Sequence, residues 1–432
     1  MMDRDRYPYF VTCYLALIYM FNFMDRQLVS ILQEPIRAEM DLSDAQLGLV
    51  SGLGFALFYT ICGLPVARLC DRYRRVSIMA AACAIWSLFT VACGYAQSFV
   101  QLALARMMVG VGEAGGAPPS YSLLADYFPP ERRAGAFGLF SLGVPLGAAA
   151  GTALGGWIAA HYGWRTAFIV IGAPGVLLAL ILLLVVREPV RGGNDPARPP
   201  WDDTPMPTIG RAMLAFFADP TLRLTALAGG MSSFVGYAML NWNPSLLARV
   251  KGMSLTEIAT YYSLVLGIAG VIGIFGAGWL VDRLAVRDVR WYAWVPALAF
   301  ALSIPGHVGL ILVESWPLAL VCVAMPALLH KTYLAPALAI VQNRSPAEGR
   351  TLAGATLLFV VNILGLGGGP LFMGWVSDLT RPMLGERSLL AAYVALIPMI
   401  VITICLHLAV ARALVREGGR RNTGPLTVGG TA

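Results

Sequence analysis

Apolar residues run through this chain in long stretches, separated by short polar segments. The stretches lie near 9–32, 45–69, 76–95, 100–124, 134–158, 165–186, 221–247, 258–280, 292–312, 318–341, 352–377 and 389–411. A bilayer core of roughly 30 Å takes about 20 apolar residues per helix, and lipid admits only backbones that satisfy their own hydrogen bonds. The pattern therefore predicts an all-α integral membrane protein with twelve transmembrane helices.

Composition agrees: of 432 residues, 58% are hydrophobic and only 13% charged, which excludes a soluble enzyme of this length. The first stretch is no cleavable signal, because it is too long, carries Asp25 and Arg26, and precedes no small-residue cleavage site. Of the 31 Lys and Arg, 22 fall in the amino end, alternate loops and the tail on one side, 6 on the other side and 3 within spans. Positive loops stay inside, so both termini are expected in the cytoplasm, with the chain in a cell's inner membrane. The net charge of +7 then belongs to loops beside anionic lipid, and no basic-aromatic module points to nucleic acid. Cys13, Cys62, Cys70, Cys83, Cys93, Cys322 and Cys405 stand singly without metal spacing, so no metal or cofactor is expected. Neither a Walker A sequence nor a nucleophile with its base at usable spacing supports an ATP-driven pump or an enzyme.

Residues 187–211, rich in Pro, Gly and charge, read as a cytoplasmic linker between six-helix bundles at 1–186 and 212–416, with a tail at 417–432. The halves share punctuation. Ser43 three before Gln46, and Ser254 three before Glu257, are capping boxes; Asp71 and Asp282 follow those serines by the same 28 residues. "PPERRAG" (129–135) is echoed by "SPAEGRTLAG" (345–354), and the Trp157 motif by that of Trp375. Such echoes in order indicate a parallel duplication.

"ARLCDRYRR" (67–75) and its second copy "GWLVDRLAVR" (278–287) resemble the G-x-L-x-D-R-x-x-R-R/K loop of the major facilitator superfamily, with Ala67 in place of the first glycine. Arg106, Gly110 and Gly112 in "ARMMVGVGEAGGAPPS" match that superfamily's R-x-x-x-G-x-G pattern. The resemblance implies two pseudo-symmetric bundles, a substrate site between them at midplane, and a cytoplasmic gate at Asp71, Arg72, Arg75, Asp282 and Arg283.

Charges inside spans are costly and point to function. Arg106 and Glu113, seven apart, share one helix face. Asp25 and Arg106 fall at one depth, about 10 and about 9 Å below the outer surface at 1.5 Å per residue. Asp25 is expected to pair with Arg106 in one state of a cycle; Arg26, about 100° round the helix from Asp25, to reach into the cavity; and Asn22 to share the Asp25 face. In the second half the repeat aligns Glu113 with His330, next to Lys331, and a contact of Glu113 with His330 or Lys331 is expected in the state closed to the cytoplasm. Phe234, Tyr237, Asn241, Phe359 and Asn362 supply further candidate ligand contacts.

"FNFMDR", "GVGEA" and "LADYFPPERRAGAFGL" are similar to the spinster-like branch of the superfamily. That resemblance implies a proton-driven secondary transporter of amphipathic lipids such as lysophospholipids or sphingosine phosphate. Asp25, Arg106 and Glu113 would couple the proton, and Arg26, Arg106 and Glu113 would bind substrate. The proton gradient is then the driving force, membrane lipids and a lipid or organic anion are the partners, and a monomer suffices. Two alternatives stand beside it: a proton symporter of small organic anions such as sugar acids, and a non-transporting receptor or scaffold.

Overall fold

The computed structural model describes residues 6–192, 209–345 and 350–422. Most of the linker and the end of the tail lie outside these residues. The described residues hold α1 (Tyr7–Met40), α2 (44–72), α3 (Arg75–Gly94), α4 (99–127), α5 (Pro130–Tyr162) and α6 (Trp164–Val185) in the first half. The second half holds α7 (Pro220–Arg249), α8 (Leu255–Ala285), α9 (Trp291–Leu312), α10 (Trp316–Arg344), α11 (350–384) and α12 (Ser388–Asn422), with a short helix, Ile209–Ala218, leading in. Twelve spans thus match the expected architecture, but α1 runs on to Met40, well past residue 32, and the linker gives way to helix already at Ile209.

Among the described residues nine stretches are long and apolar enough to cross a bilayer unaided, the last covering both α11 and α12. Of the two remaining spans, α4 is interrupted, and α7 buries Ser232, Ser233, Asn241 and Asn243. The interruption in α4 corrects the expected continuous span at 100–124: helix Phe99–Glu113 stops in a turn at 114–116 and restarts as Ala117–Tyr127, with Pro118 and Pro119 in its first turn. The interruption recurs in α10, where the chain turns at 330–333 between Trp316–Leu329 and Leu334–Arg344. The duplication is also visible in both capping boxes, each made as the spacing requires, and each followed by one π-helical turn, Leu49–Leu53 and Ile258–Tyr262.

Between the halves, α1 packs on α7, α2 on α11 and α5 on α8. One apolar core, from Leu28 and Leu32 through Trp242 and Leu246 to Tyr393, joins the halves at the end remote from the termini. Toward the termini the core divides, one cluster around Phe140 and Leu182 drawn from the first half apart from Leu366 and Tyr237, and others around Tyr333 and Val410 in the second. The halves are therefore joined at one end and part toward the other.

Candidate functional site

Within the first half a stripe of glycines on α5 fixes α1 closely. A Cβ on Gly143 would lie 2.7 Å from the Ala16 carbonyl oxygen, and one on Gly151 2.6 Å from that of Met24; small residues let helix backbones approach in this way. On α4, Gly110 faces the Phe55 carbonyl and Gly112 the Trp86 amide, each leaving 2.6 Å for a Cβ. The glycines of the R-x-x-x-G-x-G pattern thus seat α4 against α2 and α3. The packing brings Asp25 and Arg26 of α1 onto the face of α4 that carries Arg106 and Glu113.

Two ion pairs result. Arg106 Nη1 donates to Asp25 Oδ1 at 3.2 Å, and Thr90 Oγ1 of α3 donates to Asp25 Oδ2 at 2.5 Å. Arg26 Nε donates to Glu113 Oε2 at 2.6 Å. Aromatic rings enclose the Arg26 guanidinium: its carbon lies 4.8 Å from the centroid of Phe23, 5.1 Å from Phe55 and 4.8 Å from Tyr59. Tyr237 of α7 faces the same guanidinium from the other half. Among the described residues Glu113 Oε1 and Arg106 Nε are buried without hydrogen-bond partners, leaving one acceptor and one donor open at the site.

The expected Asp25–Arg106 contact is present in this structure. Arg26, expected to reach into the cavity, instead closes on Glu113. Helix periodicity separates Asp25 from Arg26 by about 100° but says nothing of which neighbour flanks each side. Here α4 is long enough to offer each a partner two turns apart. In this structure Glu113 therefore holds a partner in its own half; its expected contact with His330 or Lys331 was for the state closed to the cytoplasm. His330 instead shares a hydrogen bond with Ser303 Oγ at 3.0 Å and stacks on Phe300 with centroids 4.5 Å apart. Lys331 is exposed in the α10 turn.

Asn22 is buried on the Asp25 face. Asn241 donates to the Tyr237 carbonyl at 3.0 Å, and its own carbonyl accepts from Ser30 at 2.8 Å, so it serves helix and inter-half packing. Phe234 packs on Phe372, centroids 5.4 Å apart, while Phe359 and Asn362 are half-buried on α11. Among the gate residues, Arg75 is buried between Glu188, Asp126 and Ser122, at 2.8, 2.5 and 2.8 Å. Arg72, Asp282 and Arg283 are exposed, with Arg283 over the Trp279 ring, and the side chain of Asp71 lies outside the described residues.

Sequence reasoning missed a second ionic cluster, which ties the halves together at the remote end. Arg249, at the end of α7, donates to both carboxylate oxygens of Asp44 at 2.7 and 3.0 Å and to Glu34 at 2.7 Å. Asp44 also accepts from Ser377 Oγ at 2.6 Å, and Asp378 accepts from the amides of Asp44 and Ala45 at 3.0 and 2.7 Å. Arg37 reaches Glu386 at 3.2 Å. The signal was Arg249 itself, an arginine at a helix end on the side where positive residues are few.

The comparisons with known proteins follow this geometry. The model of the family described as Major Facilitator Superfamily matches residues 15–353. An "MFS-type efflux pump" of Mycolicibacterium smegmatis is 36% identical over 92% of this chain and 91% of its own, and a "Hexuronate transporter" of Bacillus subtilis is 27% identical over 89% and 91%. The crystal structure of a bacterial homologue of the human lysosomal transporter Spinster, inward-facing and unoccupied, superposes with a TM-score of 0.84 at 31% identity, covering 95% of this chain and 98% of that one. Fold, motifs and relatives agree: this multi-pass membrane protein is no enzyme but belongs to the spinster-like branch of the major facilitator superfamily of transporters.

Proposed function

We propose that the chain is a proton-coupled secondary transporter that moves an amphipathic or anionic organic solute across the inner membrane by rocking its halves, both termini lying in the cytoplasm. The observation that carries the reading is the pair of buried carboxylates, Asp25 and Glu113, each held by an arginine from a neighbouring helix and flanked by an unsatisfied donor and acceptor. A proton delivered to either carboxylate removes the charge that holds its arginine, and an anionic solute can then take the carboxylate's place. The aromatic enclosure of Arg26 favours a solute with an apolar part. In this reading, the joined remote end and the parted opposite end are those of a cytoplasm-open stage of such a cycle.

The test is uptake or efflux in proteoliposomes under an imposed proton gradient, with a lysophospholipid and glucuronate as the two probes. Asp25→Asn is expected to abolish gradient-driven movement while leaving a monodisperse protein; full gradient-driven activity in that variant would discard the proton reading. A second reading, a symporter of small organic anions, is favoured by the exposed Lys331 and by the similarity to the hexuronate transporter. Thermal stabilisation by glucuronate but not by lysophospholipid would select it.

A further inference from the structure

The two ion pairs share one neighbour. Phe55 of α2 is 1% exposed, and its ring centroid lies 5.1 Å from the Arg26 guanidinium carbon and 5.3 Å from that of Arg106. It also stacks on Tyr59, centroids 5.6 Å apart and planes 14° apart, and Tyr59 in turn covers Arg26. A cation near an aromatic face is attracted to the ring quadrupole, so one ring here steadies both cations. The Phe55 backbone cannot retreat toward α4, since Gly110 already abuts its carbonyl.

The opposite side of this α2 segment is the contact with the other half. A Cβ on Gly52 would lie 3.0 Å from the Gly367 carbonyl oxygen and 3.0 Å from Pro370 Cβ, and one on Gly367 would lie 3.4 Å from Ala56 Cβ. Both helices leave α geometry at this contact, α2 in the π segment Leu49–Leu53 and α11 in the longer one, Val361–Gly368. Single π turns in α-helices recur at functional sites. The α2 segment thus touches the other half with Gly52 and Ala56 and touches the charges with Phe55, the residue just before Ala56.

We infer that Phe55 is a positioning residue that couples the α2–α11 contact to the two ion pairs, holding Arg26 on Glu113 and Arg106 on Asp25 while the remote end is closed. When the halves rock, α2 shifts against α11 and carries the ring off both guanidinia together, so that the two pairs loosen in one step. This rests on the proton-coupled reading. The ionisable groups that face the four charges from the surrounding helices are Tyr19 of α1, Tyr59 of α2, Cys93 of α3, Tyr121 of α4 near Tyr19, and Tyr237 of α7.

The experiment follows the distance between spin labels at Tyr162→Cys and Leu312→Cys, two exposed positions at the remote end in opposite halves, on a background with the native cysteines replaced, from pH 5 to pH 9. Wild type is expected to show a pH-dependent change in distance. In Phe55→Leu the midpoint moves to higher pH by about one unit, the size one ordinary cation–π contact can supply, because carboxylates less firmly held by their arginines take up a proton sooner as pH falls. Phe55→Tyr, which keeps the ring, retains the wild-type midpoint; Phe55→Met, close in volume but without a ring, carries the same test should Phe55→Leu not yield monodisperse protein. A normal wild-type response with unchanged midpoints in both ring-less variants would overturn the role of Phe55 alone. No pH response in wild type would overturn the proton-coupled reading and this inference with it.

Discussion

The two halves descend from one duplicated plan yet fill their polar interiors differently. Midway along its helices the first half sets four formal charges, Asp25, Arg26, Arg106 and Glu113, as two pairs. The second half buries His307, His330 and His407, bonded to the Tyr393 carbonyl, Ser303 and Ser232 at 2.7, 3.0 and 2.8 Å, with His307 Nδ1 left without a partner among the described residues. An imidazole can bond a hydroxyl or carbonyl through one ring nitrogen without any counter-charge, whereas a buried carboxylate stays ionised only with a cation or several hydrogen bonds beside it. The lesson is one of chemistry: paired formal charge fills one half, and hydrogen-bonded histidines fill the other.

Three substitutions would break or sharpen that contrast. Glu113→Ala leaves the Arg26 guanidinium buried without its carboxylate, at a cost of about 3–5 kcal/mol, read as a fall in the melting temperature of the purified protein; adding Arg26→Met should restore much of the loss. If the single variant melted like wild type, the pair would not be a buried charge pair in solution. At the remote end, Arg249→Met takes the bidentate partner from Asp44 while Arg37 stays 3.7 Å away, so a loss of about 2 kcal/mol of closure is expected. Spin-label distances across that end would then broaden toward an open population. The smallest effect belongs to the second half: His330→Gln can still bond Ser303 and loses chiefly the Phe300 stack, about 1 kcal/mol, with the pH dependence of transport unchanged. A shift in that pH profile as large as that of Asp25→Asn would erase the distinction between the halves.

Much of this was legible in the residues. Apolar run length located the spans, and the serine-based capping boxes located matching starts in both halves. The depth of Asp25 and Arg106 brought them level. What one-dimensional spacing could not supply was the rotation of one helix against another, and therefore which of Arg26's neighbours would be Glu113. The turn after Glu113 was hidden because Ala114, Gly115 and Gly116 continue the low-polarity run; only Pro118 and Pro119 beyond it hint that a helix restarts there. The Arg249 cluster draws on Glu34, Asp44, Ser377 and Asp378, which lie far apart in the chain and become neighbours only through the packing of α2 on α11.

The remote cluster has a consequence for the setting in which the protein works. Dissolved ions weaken a charge pair only where solvent reaches it, and the side chains of Arg249 and Asp44 are 3% and 0% exposed. A rise in the salinity of the medium therefore leaves that contact intact. It erodes mainly the outlying Arg37–Glu386 pair, whose carboxylate is 59% exposed, so the preference for the closed remote end persists across dilute and saline surroundings alike.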